Sequence, residues 1–347
     1  MKAVVKERAG PGFALKQIDT PRPKSREALV EVKAVSICGS DVPILEGRRS
    51  VKLPLIPGHE FAGTITETGS DGTEWQVGDR VVVRPVIGCG KCRWCHTGEE
   101  SLCDHIVSLG INTDGAFAEY IAVSERMLHR LPDGLSYEQG TQVNPLATPW
   151  RAAEKLGISG GDTVVIIGPG SMGLYMLQVV RARGVSDVLM VGRSRPRLEL
   201  ARQLGAALLI DSSTEDVTGK VREYTAGRMA TVVIEATGNV SAVPMVVDVA
   251  SKASRIGLLG VSLEPTTIDL DKLLRKEAWM TGFFCYSWSD YEESIKLLES
   301  GKVRAEPVIS HQMPLEKMGE ALELLRTREA VKVVLVPQTN RRPTFHR

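Results

Sequence analysis

The chain has 347 residues, of which 43 are Lys or Arg and 42 are Asp or Glu, so its formal net charge is +1. This length exceeds the size at which one hydrophobic core usually stops growing, which predicts about two domains. The balanced charge argues against a general nucleic-acid binder, because such proteins carry a strong basic excess. The sequence has no apolar run of the ~18 residues that a membrane span needs. The first residues, MKAVVKERAG, lack the apolar region of a signal peptide, so we expect a cytoplasmic protein.

The part of the chain up to about Leu146 is predicted to consist mainly of strands and turns. Ala28 to Ala34 (ALVEVKA) alternates apolar and polar residues, as a half-buried strand does. Phe61 to Thr66 and Asp79 to Val83 are also typical of strands, and loops containing Gly and Pro separate them. Repeated short strands with turn signals predict a small barrel or sandwich.

After Leu146 the pattern changes to alternating strands and helices. Thr163 to Ile167 (TVVII) is a continuous apolar run, and helical periodicity follows from Ser171 to Arg183. A second apolar run covers Asp187 to Val191, and the alternation continues as far as Leu259. Alternating apolar strands and helices predict a parallel sheet that is covered by helices on both faces.

A glycine-rich segment directly after TVVII predicts a dinucleotide site. In such a site the first glycine makes a tight turn, the second lets the backbone approach a pyrophosphate, and the third allows close packing of helix and strand. The helix N-terminus then stabilises the anion. An ordinary glycine-rich turn is the alternative, but the surrounding strand and helix signals favour a cofactor. The predicted cofactor-binding residues of this turn are Gly168, Gly170, Ser171, Met172 and Gly173.

The end of the second strand of this part indicates which dinucleotide is bound. An NAD site has an acidic residue there for the ribose 2′-hydroxyl, whereas this chain has Gly192-Arg193-Ser194-Arg195-Pro196-Arg197. Guanidinium groups can bind a 2′-phosphate with bidentate geometry. Solvated arginines at a helix start are the alternative, although cations are mildly unfavourable at that end of a helix. We therefore expect NADP rather than NAD, bound by residues 192–195 and by Thr237, which follows the predicted strand Thr231 to Glu235.

Four of the six cysteines lie close together, in a lobe that spans about residues 86–105. Cys89, Cys92, Cys95 and Cys103 have the spacing C-x2-C-x2-C-x7-C, which allows four thiolates to close around one structural Zn²⁺. An iron–sulfur cluster is the main alternative, but the bacterial ferredoxin motif has a shorter last spacer followed by Pro. Disulfide bonds are disfavoured in a chain without an export signal.

A second group of metal-ligand types lies upstream, in Cys38-Gly-Ser-Asp41 and Gly-His59-Glu60. Thiolate, imidazole and carboxylate suit zinc, and a catalytic site uses three protein ligands and an open position. Each residue alone has an ordinary interpretation, since a single Cys is usually a small buried side chain and a single His belongs to a core or turn. Their occurrence together with a dinucleotide motif favours a catalytic zinc that binds an alcohol or a carbonyl.

These motifs, in this order, resemble the zinc-containing medium-chain dehydrogenase/reductases, whose members include sorbitol, threonine and sugar dehydrogenases. The resemblance extends from Met1 to Pro337. It implies an α/β protein with two domains: a GroES-like β-barrel catalytic domain and a Rossmann domain with a doubly wound parallel sheet. The catalytic domain would contain residues 1–146 and 286–347, and the Rossmann domain residues 147–285. The resemblance also implies a homodimer or a homotetramer.

The resemblance further implies roles for the residues of the upstream group. Cys38 and His59 correspond to zinc ligands, and Glu60 to a carboxylate that binds the zinc or lies directly behind it. Ser40 corresponds to the hydroxyl that passes on the substrate proton. Asp41 corresponds to the carboxylate that orients the histidine and fixes its tautomer.

The chain departs from the family pattern at two positions. Asn144 stands where relatives carry a Glu or Cys ligand, and a neutral amide is a weaker ligand for zinc, so either Glu60 or Asn144 could take the last ligand position. Pro43 stands where many relatives have a histidine that passes the proton on to solvent. The proton must then leave through the ribose, a water molecule or another side chain.

Taken together, the sequence predicts an enzyme that transfers hydride between NADP(H) and a secondary alcohol or ketone, such as a polyol, sugar or cyclitol. We expect two zinc ions per chain, one catalytic and one structural, and a small-molecule substrate rather than a nucleic acid or a membrane. One alternative is a zinc-independent NADPH reductase of activated double bonds, which the presence of Cys38, His59 and Glu60 argues against. The other alternative is a non-catalytic NADP-binding protein, in which the Ser40 hydroxyl would have no use.

Overall fold

The computed structural model describes residues 1–71 and 74–338, and the contacts among them divide the chain into two units. The first unit contains Met1–Asn144, Tyr286–Glu299 and the described residues from Ile309 onward. The second unit contains Pro145–Cys285 and Ser300–Val308.

Strands and helices follow each other along both units. The strands are β1 (Lys2–Val5), β2 (Ala14–Gln17), β3 (Glu27–Ser36), β4 (Glu60–Thr68), β5 (Arg80–Val83), β6 (Val86–Ile87), β7 (Val107–Ser108), β8 (Tyr120–Ser124), β9 (Leu128–Arg130), β10 (Thr163–Ile167), β11 (Asp187–Gly192), β12 (Leu208–Asp211), β13 (Ala230–Glu235), β14 (Ala250–Leu258), β15 (Trp279–Gly282), β16 (His311–Pro314) and β17 (Val333–Val336). The α-helices are α1 (Asp41–Leu45), α2 (Arg93–His96), α3 (Tyr137–Gly140), α4 (Val143–Lys155), α5 (Ser171–Ala182), α6 (Arg195–Gln203), α7 (Val217–Tyr224), α8 (Met245–Val249), α9 (Leu270–Arg275), α10 (Trp288–Glu299) and α11 (Met318–Arg326).

The first unit is built on a sheet in which most neighbouring strands are antiparallel. Its strands lie in the order β16-β17-β3-β4-β5-β9, and β8 also pairs with β3. The predicted strand Ala28 to Ala34 lies inside β3, which pairs with both β4 and β8. The apolar side chains of these strands pack into one core that includes Val30, Phe61 and Ile65. Since β17 pairs with β3, residues 333–336 join the sheet that the first part of the chain forms.

The second unit is a parallel six-stranded sheet with the order β12-β11-β10-β13-β14-β15. Counted from β10, this is the order 3-2-1-4-5-6 of a doubly wound dinucleotide-binding sheet. The apolar residues of TVVII fill its centre, because β10 is flanked by β11 and β13. Ligands of such sheets bind at the carboxyl ends of the strands where the strand order reverses, here between β10 and β13.

One segment belongs to a different unit from the one that the sequence suggested. Residues 286–347 were all expected in the first unit, but Ser300–Val308 groups with the second. The reason is a pair of hydrogen bonds that no local pattern encodes. The Arg304 amide donates to Gln178 Oε1 at 2.8 Å, and Gln178 Nε2 donates to the Arg304 carbonyl at 3.1 Å.

Within residues 1–71 and 74–338, none of the helices has both the length and the apolar character needed to cross a membrane.

Candidate functional site

The thiolate, imidazole and carboxylate of the upstream motifs converge at one point of the first unit. Ser36 at the end of β3 is paired with Glu60 at the start of β4, so the loops next to these two residues lie side by side. Cys38 follows β3 by two residues, and His59 directly precedes β4. Ligand atoms of Cys38, His59 and Glu60 therefore lie within 4.8 Å of one another.

Asp41 contacts both Cys38 and His59. Its buried carboxylate accepts a hydrogen bond from the Cys38 amide at 2.9 Å through Oδ2, and its Oδ1 lies 3.2 Å from His59 Nδ1. Because Nδ1 faces Asp41, Nε2 is left as the nitrogen that can face a metal. Burial lowers the pKa of His59, but the Asp41 carboxylate and the Cys38 sulfur outweigh it and raise the pKa well above the ordinary 6.5. A cation beside His59 is thus electrostatically favoured.

Ser40 brings a hydroxyl to the same group. Its Oγ donates a hydrogen bond to Cys38 Sγ at 3.3 Å, and the residue begins the turn that leads into α1. Pro43 lies inside α1 and offers no group that can carry a proton. The Ser40 hydroxyl, directly before α1, is thus a group beside Cys38 that can pass on a proton.

Glu60 is engaged by two residues that the sequence did not indicate. Lys332 Nζ donates to Glu60 Oε2 at 2.6 Å and to the Ile37 carbonyl at 3.2 Å, while the Ser36 hydroxyl also donates to Oε2. Burial lowers the pKa of Lys332, but the Glu60 carboxylate outweighs it and raises the pKa above its ordinary value. No local signal could have revealed this ion pair, because 272 residues separate its partners. The pairing of β17 with β3 brings them together.

Asn144 is also buried and already hydrogen-bonded. Its Oδ1 accepts a hydrogen bond from the Tyr286 hydroxyl. The ring of Tyr286 lies 5.4 Å from that of Tyr291, whose hydroxyl donates to the Val83 carbonyl at 3.0 Å. The amide oxygen at the position where relatives carry a Glu or Cys ligand thus already accepts a hydrogen bond from a tyrosine.

The four clustered cysteines come together as well. Their sulfur atoms lie within 4.8 Å of one another, as four ligands of one zinc would. The backbone amide of Cys89 donates to Cys103 Sγ at 3.3 Å, and that of His105 donates to the same sulfur at 3.4 Å. A hydrogen bond from the Lys91 backbone lowers the pKa of Cys89 to about 6, which favours its thiolate at neutral pH. Burial raises the pKa of Cys95 to about 12.

Both metal-ligand groups fit zinc by the chemistry of their donors. Four thiolates with amide hydrogen bonds form a closed structural set. Cys38, His59 and Glu60 offer one donor of each common type, the number of protein ligands that a catalytic zinc uses. The buried Asp41 Oδ1 and His59 Nδ1 face each other as the orienting pair behind such a ligand.

The glycine motif forms the turn between β10 and α5 in the second unit. Gly168 has φ +111°, and a Cβ there would lie 2.5 Å from Thr237 Cγ2. A Cβ on Gly173 would lie 1.9 Å from the Gly168 carbonyl oxygen, so close packing requires glycine there. Gly170 caps α5 and has nothing within 4 Å of its Cβ position, which leaves space for a phosphate at the helix N-terminus. Ser171 and Met172 are the first residues of this helix.

Glu235, at the end of β13, shapes the loop beside this turn and was missed from sequence. Its side chain is 1% exposed. Oε1 accepts hydrogen bonds from the Thr237 amide at 2.7 Å and from the Thr237 hydroxyl, and Oε2 accepts one from the Gly238 amide at 3.1 Å. Glu235 thus fixes Thr237 against Gly168.

The arginine-rich segment begins where β11 ends. Gly192 is the last residue of β11, Ser194 caps α6, and Arg193 and Arg195 are exposed. The neighbouring strand contributes an acid that the sequence analysis did not consider, because Asp211 is paired with Gly192. The hydroxyl and amide of Ser213 lower the pKa of Asp211, and the charge of Arg195 adds to this effect.

Comparisons with known proteins agree with this architecture. The family model for the alcohol dehydrogenase GroES-like domain matches residues 24–133, and the zinc-binding dehydrogenase model matches residues 171–300. Sorbitol dehydrogenase of Halalkalibacterium halodurans is 34% identical over 97% of this chain and 99% of its own.

Two solved structures have the same fold over nearly their whole length. A zinc-binding dehydrogenase from Sinorhizobium meliloti 1021 bound to NADP has a TM-score of 0.91 at 29% identity, covering 97% of this chain and 99% of that one. An alcohol dehydrogenase from E. coli CFT073 in complex with NADH has a TM-score of 0.90 at 29% identity, with the same coverage.

These matches confirm the predicted GroES-like and Rossmann folds and the resemblance drawn from the motifs. They also confirm that the chain is an alcohol dehydrogenase-type oxidoreductase, which acts on the CH–OH group of small molecules. The chain belongs to the zinc-containing medium-chain dehydrogenase/reductase family.

Proposed function

We propose that the protein is a zinc-dependent dehydrogenase that transfers hydride between NADP(H) and a secondary alcohol, such as a polyol, sugar or cyclitol. The observation that carries this proposal is the convergence of Cys38, His59 and Glu60 beside the Ser40 hydroxyl. A non-catalytic binding protein would have no use for this arrangement. A polyol is supported by the similarity to a sorbitol dehydrogenase.

In this proposal each residue of the first unit has one task. Cys38, His59 and Glu60 hold a zinc ion, and Asp41 keeps the imidazole in the required tautomer. Zinc supplies Lewis acidity, which lowers the pKa of an alcohol and polarises a carbonyl. The Ser40 hydroxyl would take the proton that the alcohol loses and at the same time pass its own proton on to the cofactor ribose, a water molecule or another side chain. A bound nicotinamide would supply the hydride acceptor, so the products of alcohol oxidation would be a ketone, NADPH and one proton.

Glu60 supports the proposed site through its charge as well as its oxygen atoms. The ammonium group of Lys332 offsets the carboxylate charge, so the net charge of the ligand set is closer to one thiolate than to two anions. A zinc ion there would keep more of its positive charge and acidify an alcohol more strongly. We propose Glu60 as the third protein ligand, because its carboxylate converges with the ligand atoms of Cys38 and His59. We also propose a second zinc between Cys89, Cys92, Cys95 and Cys103.

We also propose that NADP is preferred to NAD. Arg193 and Arg195 are exposed at the end of β11, where a 2′-phosphate would lie, and β11 itself ends without a carboxylate. Asp211 on the neighbouring strand acts in the opposite direction, since its negative charge repels a phosphate. Two guanidinium groups outweigh one carboxylate. Gly168, Gly170 and Gly173 would hold the pyrophosphate against α5.

The chain is further proposed to form a homo-oligomer in which a second copy covers the free edge of β15. Among the described residues, β15 pairs only with β14. Trp279 on this strand is 55% exposed, and Leu270 and Leu274 on the adjoining α9 are also exposed. An unpaired edge with exposed apolar side chains favours association. Light scattering should give the mass of a dimer or a tetramer. Trp279→Glu places a charge on this edge and should shift the measured mass towards that of the monomer.

The proposed activity is tested by zinc analysis followed by a substrate screen with both cofactors. We expect two zinc ions per chain and reduction of NADP⁺ in the presence of a polyol, faster than reduction of NAD⁺ at equal concentration. One zinc per chain together with no alcohol-dependent formation of NADPH would overturn the proposal. Reduction of an enone that survives Cys38→Ala would instead support a zinc-independent reductase.

A further inference from the structure

The segment between Cys38 and His59 begins and ends at the proposed metal site. It contains 20 residues, and its ends are close together because the ligand atoms of Cys38 and His59 converge. The segment includes α1 and reverses direction at Gly47, which has φ +74°. After the reversal, the amides of Arg48 and Arg49 both donate to the Pro43 carbonyl, at 2.8 and 3.0 Å.

The N-terminal loop packs against this reversal and adds a third chain segment to it. Lys6 and Leu55 exchange two backbone hydrogen bonds, and a Cβ on Gly47 would lie 2.1 Å from the Gly10 carbonyl carbon. The buried Lys6 ammonium fixes the contact by donating to the Gly12 carbonyl at 2.8 Å and to the Leu45 carbonyl at 3.3 Å. Residues near position 8 therefore lie beside residues near positions 49–53.

Three basic side chains near this reversal are unpaired within the described part of the chain. Among the residues that the structure describes, the side chains of Arg8, Arg49 and Lys52 make no ion pair or hydrogen bond. Arg49 is half-buried, and the other two are exposed. The two nearby acids are already used, since Glu7 pairs with Lys16 and Glu46 pairs with Arg48 at 2.6 Å. The positive charge here is therefore uncompensated. We name the patch formed by Arg8, Arg49 and Lys52 the basic rim.

We infer that the substrate carries an anionic group, a phosphate or a carboxylate, that Arg49 binds with support from Arg8 and Lys52. The inference rests on the proposed oxidation of an alcohol at the neighbouring metal site. Pro43 lies about one helical turn, ~5 Å, from Ser40, and a guanidinium reaches further still. The anionic group therefore lies several bonds from the carbon that loses hydride. A planar guanidinium fits two oxygen atoms of either anion.

The test compares three substrates of similar length on the zinc-loaded enzyme with its cofactor: a hexitol, the same hexitol as its phosphate, and a hydroxy acid. We expect kcat/KM for at least one of the anionic substrates to exceed that of the hexitol about tenfold. Arg49→Gln should lower the ratio of kcat/KM for the anionic substrate to kcat/KM for the hexitol about tenfold, mainly by raising KM for the anionic substrate. Arg49→Lys should keep part of the preference for the anionic substrate. Added salt should raise KM for the anionic substrates more than KM for the hexitol, because it screens the charge–charge interaction.

Arg48→Gln is the matched control, because Glu46 already holds that guanidinium. Equal use of the neutral and anionic substrates, or equal effects of Arg48→Gln and Arg49→Gln, would overturn the inference. Calorimetric titration of the enzyme–cofactor complex with the hexitol phosphate and with the hydroxy acid separates this result from failure of the proposed function. Binding that Arg49→Gln removes and Arg48→Gln keeps supports the basic rim even without turnover, and absence of binding contradicts it.

Discussion

Lys332 and Glu60 form an ion pair whose side chains are only 2% and 1% exposed. Both charges have lost their water, and they are stabilised by each other and by the Ser36 hydroxyl and Ile37 carbonyl. Such a pair adds little to stability compared with apolar residues, but removal of one partner leaves an uncompensated buried charge. Its value here lies in holding Glu60 in place beside Cys38 and His59.

Replacement of Lys332 by Met should therefore destabilise the protein strongly. We expect the free energy of unfolding to fall by about 3–5 kcal/mol, because the Glu60 carboxylate remains buried without its cation. Denaturant unfolding after removal of zinc by a chelator measures this change, because a zinc ion bound to Glu60 would itself supply a cation. Ser36→Ala, which removes one hydrogen bond and keeps the ion pair, should cost only about 1 kcal/mol. Equal losses in the two variants would show that the charge pair is unimportant.

His129 gives the first unit a pH dependence that can be measured. Its ring lies 3.9 Å from the Trp288 ring and 4.8 Å from the Tyr291 ring. Burial, and to a lesser extent the Arg84 charge, lower the pKa of His129 to about 3. In the unfolded chain the same group titrates near its ordinary 6.5, so the unfolded state binds the proton first.

Stability should consequently fall as the pH is lowered from about 6.5 towards 3, by at most about 1.4 kcal/mol per pH unit from this residue. Above pH 6.5 the contribution is constant. His129→Phe keeps an aromatic ring and removes the proton site, so its unfolding free energy should depend less on pH over this range. Parallel pH profiles of the two proteins would contradict the assignment.

At the scale of elements, the four-cysteine lobe is too small to fold by burial. Between Cys89 and His105 only Ser101 and Cys103 are buried, so the segment has almost no apolar core of its own. Arg84 attaches it to β5 through a hydrogen bond of 2.7 Å to Glu100. The proposed zinc, by crosslinking the four sulfur atoms, would supply order that burial does not.

Cys92→Ser should lower the bound zinc from two ions per chain to one and reduce Tm by several degrees, because the lobe loses its crosslink. Elemental analysis and a thermal melt on the same sample give both numbers. Cys285→Ser is the control, since Cys285 belongs to neither metal-ligand group of the described residues. A Cys92→Ser protein that keeps two zinc ions would contradict the structural role.

Elements encoded by contiguous residues could be predicted from sequence. TVVII and the glycine turn became β10 and the start of α5, because a buried parallel strand and a tight phosphate-binding turn each impose residue types over a few positions. Contacts made by the tertiary fold could not be predicted. Lys332 meets Glu60 across 272 residues, and Asp211 meets the end of β11 only through strand register.

At the scale of the whole molecule, the net charge of +1 conceals an uneven distribution of charge. Arg193 and Arg195 lie at or just after the end of β11 in the second unit, and the basic rim belongs to the first unit. In our proposals both sets of cations bind small anionic groups, one on a cofactor and one on a substrate.

The catalytic zinc is tested most directly by the rate of alcohol-dependent NADPH formation, measured as a function of the zinc bound per chain. Chelation followed by titration with zinc should abolish and then restore activity, with the rise occurring as the second ion binds. Cys38→Ser should hold one zinc and remain inactive throughout the titration. Full activity after chelation, or a Cys38→Ser protein as active as the wild type, would contradict the assignment of Cys38, His59 and Glu60 to a catalytic zinc.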